Sequence, residues 1–459
     1  MKDLLAETAA RAAIYLAGVS NRRVAPSAED VTRLEALGGV LPQASSDPAE
    51  ILALLDDLGS RATVTTAGGR YFGFVIGGAV PAALAANWLA GAWDQNAGLS
   101  VTSPVADKIE EIVLAWIVEL LDLPSTCGAG FVTGTTMANF SALAAARTAL
   151  LQRAGWDVEE DGIFAAPPIR VVVGEEVHVS LLKALSMLGL GRSRVSRVPT
   201  DSEGRMKFEE LPQLDERTVV CVQLGNVNSG AFDPVKDICA RAKEAGAWVH
   251  VDGAFGLWAA ASSRFTHLLE GYASADSWAI DCHKWLNVPY DSGIAVVRKA
   301  DHLRRAFALT AAYLQTGTVR EPCHYTPEVS RRARGIELWA AMRTLGRDGL
   351  RDLIERNCRM AKVFADRLRQ AGFEILNDVV LNQVLVSFGS AEETQRVIAE
   401  VQNEGTCWCG GTQWHGRTAM RISVSSWATT EEDVERSLAA IIRIANSGSL
   451  PQPQATKSN

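Results

Sequence analysis

Along residues 81–93 and 105–123 the apolar positions recur at helical spacing, whereas residues 131–133, 169–173 and 219–223 are short runs rich in β-branched side chains. Helices therefore come first and alternation follows. Between Phe131 and Val297, apolar strands, two more of them expected at 247–251 and 277–280, alternate with helical stretches at 136–153, 179–188 and 234–245. This order predicts a mostly parallel sheet with helices on both faces, because parallel strands must be joined by crossovers long enough to hold a helix. After Ser330 two long helical stretches, 331–345 and 350–370, precede strands at 373–376, 384–388 and 419–424 and helices at 393–403 and 430–444, the pattern of a small α+β domain.

The expected organisation is an N-terminal helical segment over residues 1–100 contributing to a subunit interface, a large α/β domain over 101–335, a small C-terminal α+β domain over 336–446 and a flexible tail over 447–459. The tail is assigned on its Ser, Pro and Gln content. Residues 1–24 are apolar in places, but Glu7 and Arg11 interrupt them, and no run approaches the roughly 20 residues of a membrane span. They predict an amphipathic helix rather than a signal peptide. No internal repeat is present.

Composition narrows the function classes. At 459 residues, 47% hydrophobic and 21% charged, the chain is an ordinary globular protein able to bury a large core. Its net charge of -8 comes without a Lys/Arg cluster interleaved with aromatics, which argues against nucleic acid as a partner. The eight cysteines are scattered, and Cys407 and Cys409 are separated by one residue, unlike zinc-ligand spacing. Reduced thiols, a cytoplasmic location and no bound metal are expected.

Open α/β sheets bind ligands beyond the carboxyl ends of their strands, so polar residues that end a strand come first. Thr133, Gly134, Thr135 and Thr136 follow the first strand and open a helix, where free N–H groups and the helix dipole favour a phosphate. Alone, the same stretch is equally a plain N-cap. His178 opens the helix after the strand 169–173 and is either an aromatic platform for a ligand ring or an ordinary helix-start histidine. Asp252 ends the strand 247–251; a buried carboxylate there needs a cation, which a pyridinium nitrogen, a metal or a structural ion pair could each supply. Lys284, after the strand 277–280 and among Asp281, Cys282, His283 and Trp285, is either a surface lysine or the amine of a carbonyl condensation.

Taken in order, an anion cradle, a stacking histidine, a strand-end carboxylate and a lysine together specify pyridoxal 5'-phosphate (PLP). The cradle takes the phosphate, Asp252 keeps the ring nitrogen protonated, and Lys284 holds the aldehyde as a Schiff base.

At this point the chain resembles a known family. Tyr71 to Phe74, Trp93 to Asn96, Ser103 with Pro104, Gly134 to Asn139, Glu176 to His178, Asn228 to Pro234, His250 to Ala254 and Asp281 to Trp285 are similar, in order, to the group II PLP-dependent amino-acid decarboxylases, which include the aromatic-L-amino-acid and glutamate decarboxylases. The resemblance spans about residues 45 to 445. It implies a fold type I homodimer whose large α/β domain is built on a mostly parallel seven-stranded sheet, with its active site at the interface and an amino acid as its small-molecule substrate. It also implies that Lys284 carries the cofactor, Asp252 meets the pyridinium and His178 stacks on the ring. Ala254 then packs on the other face, Gly134, Thr135, Thr136 and His283 surround the phosphate, and Asn226 contacts the 3-hydroxyl side. Asp281 stands where aromatic decarboxylases commonly have Asn, and a carboxylate beside a phosphate is unfavourable, so Asp281 is expected to orient His283.

Proton return after loss of CO2 falls in this family to a loop tyrosine, and the matching region, 311–330, contains Tyr313 and Tyr325. Tyr325 is taken as the catalytic acid with His178 assisting, a packed loop aromatic being the other reading. A PLP-dependent aldehyde synthase, which oxidises when proton delivery fails, and a non-catalytic α/β phosphate-ligand binding protein are the alternatives. Gly73, Gly77 and Gly78, with Val75, Ile76, Phe74, Trp93 and Asn96, mark the substrate pocket. No Arg or Lys follows Arg70 in that stretch to pair with an acidic side chain, so an aromatic amino acid is expected. Arg421 is either a carboxylate-binding arginine or a solvated strand residue.

Overall fold

Three helices open the chain: α1 (Lys2–Gly18), α2 (Ala28–Arg33) and α3 (Pro48–Ala62). Ser27 caps α2 by accepting from the Asp30 N–H, and Asp47 caps α3 ahead of a proline at its first position. These features come from a computed structural model in which residues 1–308 and 320–447 are described. The chain divides into two compact units, one of residues 77–359 with 377–383, the other of residues 1–76 and 360–376 with Val384 onward.

In the larger unit α4 (Pro81–Trp93) and α5 (Pro104–Leu120) lead into the alternating region. There follow β1 (Gly128–Val132), α6 (Thr135–Arg153), α7 (Val158–Asp161), β2 (Arg170–Gly174), α8 (Val179–Met187), β3 (Ser196–Val198), β4 (Thr218–Gln223), α9 (Val235–Ala245), β5 (Trp248–Asp252), β6 (Ser277–Asp281), β7 (Gly293–Val297) and α10 (Ala300–Phe307). The strands form one seven-stranded sheet in the order β1-β7-β6-β5-β4-β2-β3. All neighbours are parallel except β7, which runs antiparallel to both β1 and β6. This is the expected fold class. Strands β1, β5, β6 and β7 are buried along their whole length, which is why their sequences are continuous apolar runs without period-2 alternation. The alanines of α6, including Ala138, Ala142, Ala145 and Ala149, join the core cluster with Val171, Leu185 and Ala295, and their small side chains let the helix lie close on the sheet.

A long helix, α11 (Gly335–Gln370), follows, interrupted at Gly346, where φ is +59°. The two helical stretches expected at 331–345 and 350–370 are both present, one on each side of the kink at Gly346. It starts at Gly335 because Arg331 is drawn inward: its guanidinium makes a two-pronged ion pair with Glu110 of α5, at 2.6 and 2.9 Å, with both side chains 1% exposed.

The smaller unit holds β8 (Glu374–Ile375), β9 (Gln383–Ser387), α12 (Ala391–Glu404), β10 (Gly410–Trp414), β11 (Arg417–Ser423) and α13 (Glu431–Ser447), with a sheet in the order β10-β11-β9-β8. The N-terminal segment is part of this unit. Phe72 N–H donates to Trp408 O at 2.8 Å, Ser423 N–H donates to Phe72 O at 2.9 Å, and the Phe72 and Phe364 rings meet edge-on at 5.0 Å. The divisions therefore fall near residues 76 and 359, where the sequence pattern placed them near 100 and 335. Periodicity reports which face of an element is apolar, not which distant strand it pairs with. Among the described residues no helix is long and apolar enough to cross a membrane. Nearly all of the tail expected over 447–459 lies outside the described residues.

Candidate active site

The site forms in the larger unit, where β1, β4, β5 and β6 end. Asp252 is the last residue of β5 and is flanked in register by Gln223 of β4 and Ala279 of β6. Its carboxylate is 5% exposed. Two neutral donors hold it: Asn139 Nδ2 to Oδ2 at 3.0 Å and Ala254 N–H to Oδ1 at 3.3 Å. No cationic side chain pairs with it among the described residues, so a buried carboxylate stands at the strand end without a counter-ion among them.

Lys284 follows β6, and its ammonium lies 2.9 Å from Asp281 Oδ2. Asp281 is 2% exposed and also takes the Thr135 N–H at the start of α6, 2.6 Å from Oδ1, with His283 Nε2 at 3.4 Å. Burial alone would raise the Asp281 pKa, but Lys284, His283 and the Thr135 N–H together hold it below the usual carboxylate range. Asp281 does face His283 as expected, while binding the helix N-terminus and the lysine as well. The His283 ring stacks on Tyr290 at 4.3 Å and accepts from Ser292 N–H at 3.1 Å through Nδ1, which leaves the proton on Nε2 toward Asp281. Burial lowers its pKa.

Gly134 must be glycine for reasons of space. A Cβ there would lie 2.8 Å from His283 Cε1 and 3.1 Å from Asp281 Oδ1, and one on Gly293 would lie 2.5 Å from Gly134 Cα. Antiparallel pairing of Val132 with Gly293 brings these segments together. Thr135, Asp281, His283, Lys284 and Gly134 thus form one cluster, and Asn139, Asp252 and Ala254 form a second on the adjoining strand. The Ala254 carbonyl links them by accepting from Asp281 N–H at 2.9 Å.

Residues 40–389 match the family model described as "Pyridoxal-dependent decarboxylase conserved domain". The chain belongs to the pyridoxal-dependent decarboxylase family. Tryptophan decarboxylase 1 of Oryza sativa subsp. japonica is 30% identical to it over 80% of this chain and 78% of that one. The aromatic-L-amino-acid decarboxylase of Bacillus atrophaeus is 24% identical over 90% and 88%. A crystal structure of Oryza sativa TDC with PLP and tryptamine superposes with a TM-score of 0.89 at 24% identity, covering 97% of this chain and 98% of that chain, a likeness of fold. This pyridoxal-dependent decarboxylase is accordingly a PLP enzyme, and the reading as a non-catalytic binding protein falls away.

The residues present fit the cofactor. Thr135 Oγ1 and Asn226 Nδ2 are both buried without a hydrogen-bond partner among the described residues, which is costly unless a ligand supplies one. Asn226 Oδ1 is already occupied by the N–H groups of Asn228 and Ser229, at 2.8 and 3.3 Å. Gly134 leaves open the space beside His283 that any side chain would fill.

Two further expected residues are His178 and Tyr325. His178 caps α8, with Nδ1 accepting from Ser180 N–H at 3.3 Å; it follows β2 at the same edge of the parallel sheet as Asp252. Tyr325 ends a short 3-10 helix (Pro322–Tyr325), packs against the main core and lies under the Arg320 guanidinium at 4.7 Å. Its carbonyl crowds Gly130 in the middle of β1. That is the packing of a loop aromatic. Tyr313 lies outside the described residues. The glycines expected to open a pocket serve close packing: a Cβ on Gly77 would meet the Lys284 carbonyl at 2.3 Å, and one on Gly73 would meet the Trp408 ring at 2.3 Å. Arg421 stands over the Phe74 ring at 6.0 Å within the smaller unit, and burial lowers its pKa. Asn139 and His250 were not expected as site residues, although each lies on a face shared with an expected one: Asn139 one helical turn after Thr135, His250 two residues before Asp252 on the strand.

Proposed function

We propose that this decarboxylase converts an aromatic L-amino acid to its amine and CO2, with Lys284 as the residue that holds PLP. The reading rests chiefly on Asp252, a buried carboxylate held by neutral donors alone, for which the ring nitrogen of PLP is the fitting cation. Bound PLP supplies an electron sink for the pair left on Cα when CO2 departs. The chain's own residues do the rest. The α6 N-terminus with Gly134, Thr135 and Thr136, together with His283, would receive the phosphate, while Asn226 and Ala254 would border the ring. His178, which caps the helix after β2 at the strand-end side of the sheet, would stack on the ring and could return a proton to Cα, a role for which the ring of Tyr325, packed on the core and under Arg320, would have to be freed. An aromatic substrate is favoured by what the relatives are named for and by the lack of Arg or Lys from Tyr71 to Ser100 that could pair with an acidic side chain.

A homodimer is part of the proposal. No residue of α1 is buried, and it exposes Leu5, Ile14 and Leu16, as α3 exposes Ile51, Leu54 and Leu55; separately, α4 of the larger unit exposes Trp88, Leu89 and Trp93. Apolar helix faces of this kind call for a covering surface, and a second copy supplies one. A cytoplasmic location is supported by the eight unpaired cysteines. The test is product analysis across the proteinogenic amino acids with the PLP-loaded protein and its Lys284→Ala variant. Amine and CO2 in equal amounts from an aromatic amino acid, lost in the variant, are expected. An aldehyde with ammonia and peroxide, or preference for an acidic substrate, would overturn the reading.

A further inference from the structure

Behind Asp252 a chain of buried side chains crosses from β6 to β5 to α6. Trp248 Nε1 lies 2.9 Å from Ser277 Oγ, Ser277 Oγ 2.9 Å from His250 Nδ1, His250 Nε2 2.8 Å from Asn139 Oδ1, and Asn139 Nδ2 3.0 Å from Asp252 Oδ2. His250, Asn139 and Ser277 are wholly buried.

The direction of every proton is fixed from the Asp252 end. An ionised carboxylate only accepts, so Asn139 presents its NH2 to Asp252 and its oxygen to His250. His250 must then carry its proton on Nε2. Burial pushes its pKa down to about 3, so the ring is neutral and has no second proton; Nδ1 accepts, and Ser277 donates. Trp248, which can only donate, fills a lone pair of Ser277 Oγ. Each link donates toward Asp252, and hydrogen bonds so aligned polarise one another.

We propose that His250 and Asn139 are positioning residues that hold the Asp252 carboxylate ionised and aimed at the cofactor ring nitrogen. The proposal rests on the reading of Asp252 as the ring-nitrogen partner. A reversed His250 tautomer would turn the Asn139 amide over and set its oxygen against the carboxylate, driving Asp252 out of place or into its protonated form.

Two measurements test this on the full-length PLP-loaded protein. In the wild type, nitrogen NMR of labelled histidine should show His250 protonated on Nε2 alone throughout the neutral range; a proton on Nδ1, or on both nitrogens, overturns the proposal. The second follows the ring-nitrogen signal of PLP labelled at that atom. Asn139→Leu and His250→Asn, which break the chain, should move the signal from the protonated to the neutral position. His250→Gln, whose amide nitrogen falls near the position of Nε2, should retain the protonated signal, whereas a merely space-filling histidine would make both His250 variants alike. Asp252→Asn separates the two layers. If it alone loses the protonated signal while the chain-breaking variants keep it, the relay is refuted and Asp252 stands; if Asp252→Asn keeps it, the Asp252 reading itself fails.

Discussion

Asp281 occupies the place where a phosphate would meet the start of α6, so Asp281→Asn should bind PLP more tightly although its cofactor-free form is less stable. In the free protein the carboxylate takes the Thr135 N–H at 2.6 Å and the Lys284 ammonium at 2.9 Å. Breaking a buried ion pair costs about 3–5 kcal/mol. Because the Lys284 side chain is 20% exposed and water can replace part of the lost partner, we expect about 1–3 kcal/mol here, against that buried-pair figure. An incoming phosphate meets the carboxylate as a like charge. Two unit charges 4 Å apart at an effective dielectric of 20 repel by about 4 kcal/mol, an upper bound that His283 and water reduce. An amide removes the repulsion and adds a donor. At least about tenfold tighter binding, or about 1.4 kcal/mol, is therefore expected. Equilibrium dialysis of PLP against the stripped protein reads the affinity, and thermal unfolding of the same samples reads the stability. If the variant, still folded, binds PLP no better or more weakly than its parent, the carboxylate is not in the way of the phosphate and the cradle has been misassigned.

Glu110→Gln leaves the Arg331 guanidinium buried with half a partner and should lower unfolding stability by about 3–5 kcal/mol at fixed protein and PLP concentration; a loss below about 1 kcal/mol would show that the pair is dispensable. The pH dependence follows from His250: its folded pKa is depressed to about 3 by burial, so the stability of the neutral ring is fully present above about pH 6.5 and lost as pH falls. At pH 5 this amounts to about 2 kcal/mol, and His250→Gln should flatten the decline in chemical-denaturation midpoints between those two values. Tyr325→Phe keeps the ring that packs on the core and under Arg320, so amine formation should stay within about twofold of the parent; a switch to aldehyde product would restore Tyr325 as the acid.

What could be read from the sequence was whatever a single element declares about itself. The run 247–251 is apolar throughout and Asp252 interrupts it, so the strand end and its carboxylate were visible, and the structure moves the strand by one residue. Lys284 was visible in the same way, after β6. The relation between elements was not. Nothing in the run Gly293–Val297 says that it enters the sheet antiparallel between β1 and β6, and the closeness of Gly134 to Asp281 and His283 depends on that placement. The same limit hid Asn139 and His250, whose partners come from different elements. Tyr325 is the opposite case: it was singled out by position in the chain, and the structure adds that its ring packs under Arg320 and against the core.

The position of β7 also dictates when the cofactor cradle can be assembled. Thr135 and Asp281 are 146 positions apart, and β1 stands at the end of the strand order with β7 as its neighbour. A ribosome delivers β1 and α6 long before β7, so the nascent chain carries an apolar strand without its ladder and a helix whose first N–H groups lack the Asp281 carboxylate. Closing that long loop is the slow kind of event in folding. Chains stopped before Gly293 would therefore be unable to build the phosphate cradle and would expose β1 to pairing with other chains, so premature termination or slow synthesis across residues 135–293 should yield aggregates rather than an enzyme of reduced affinity.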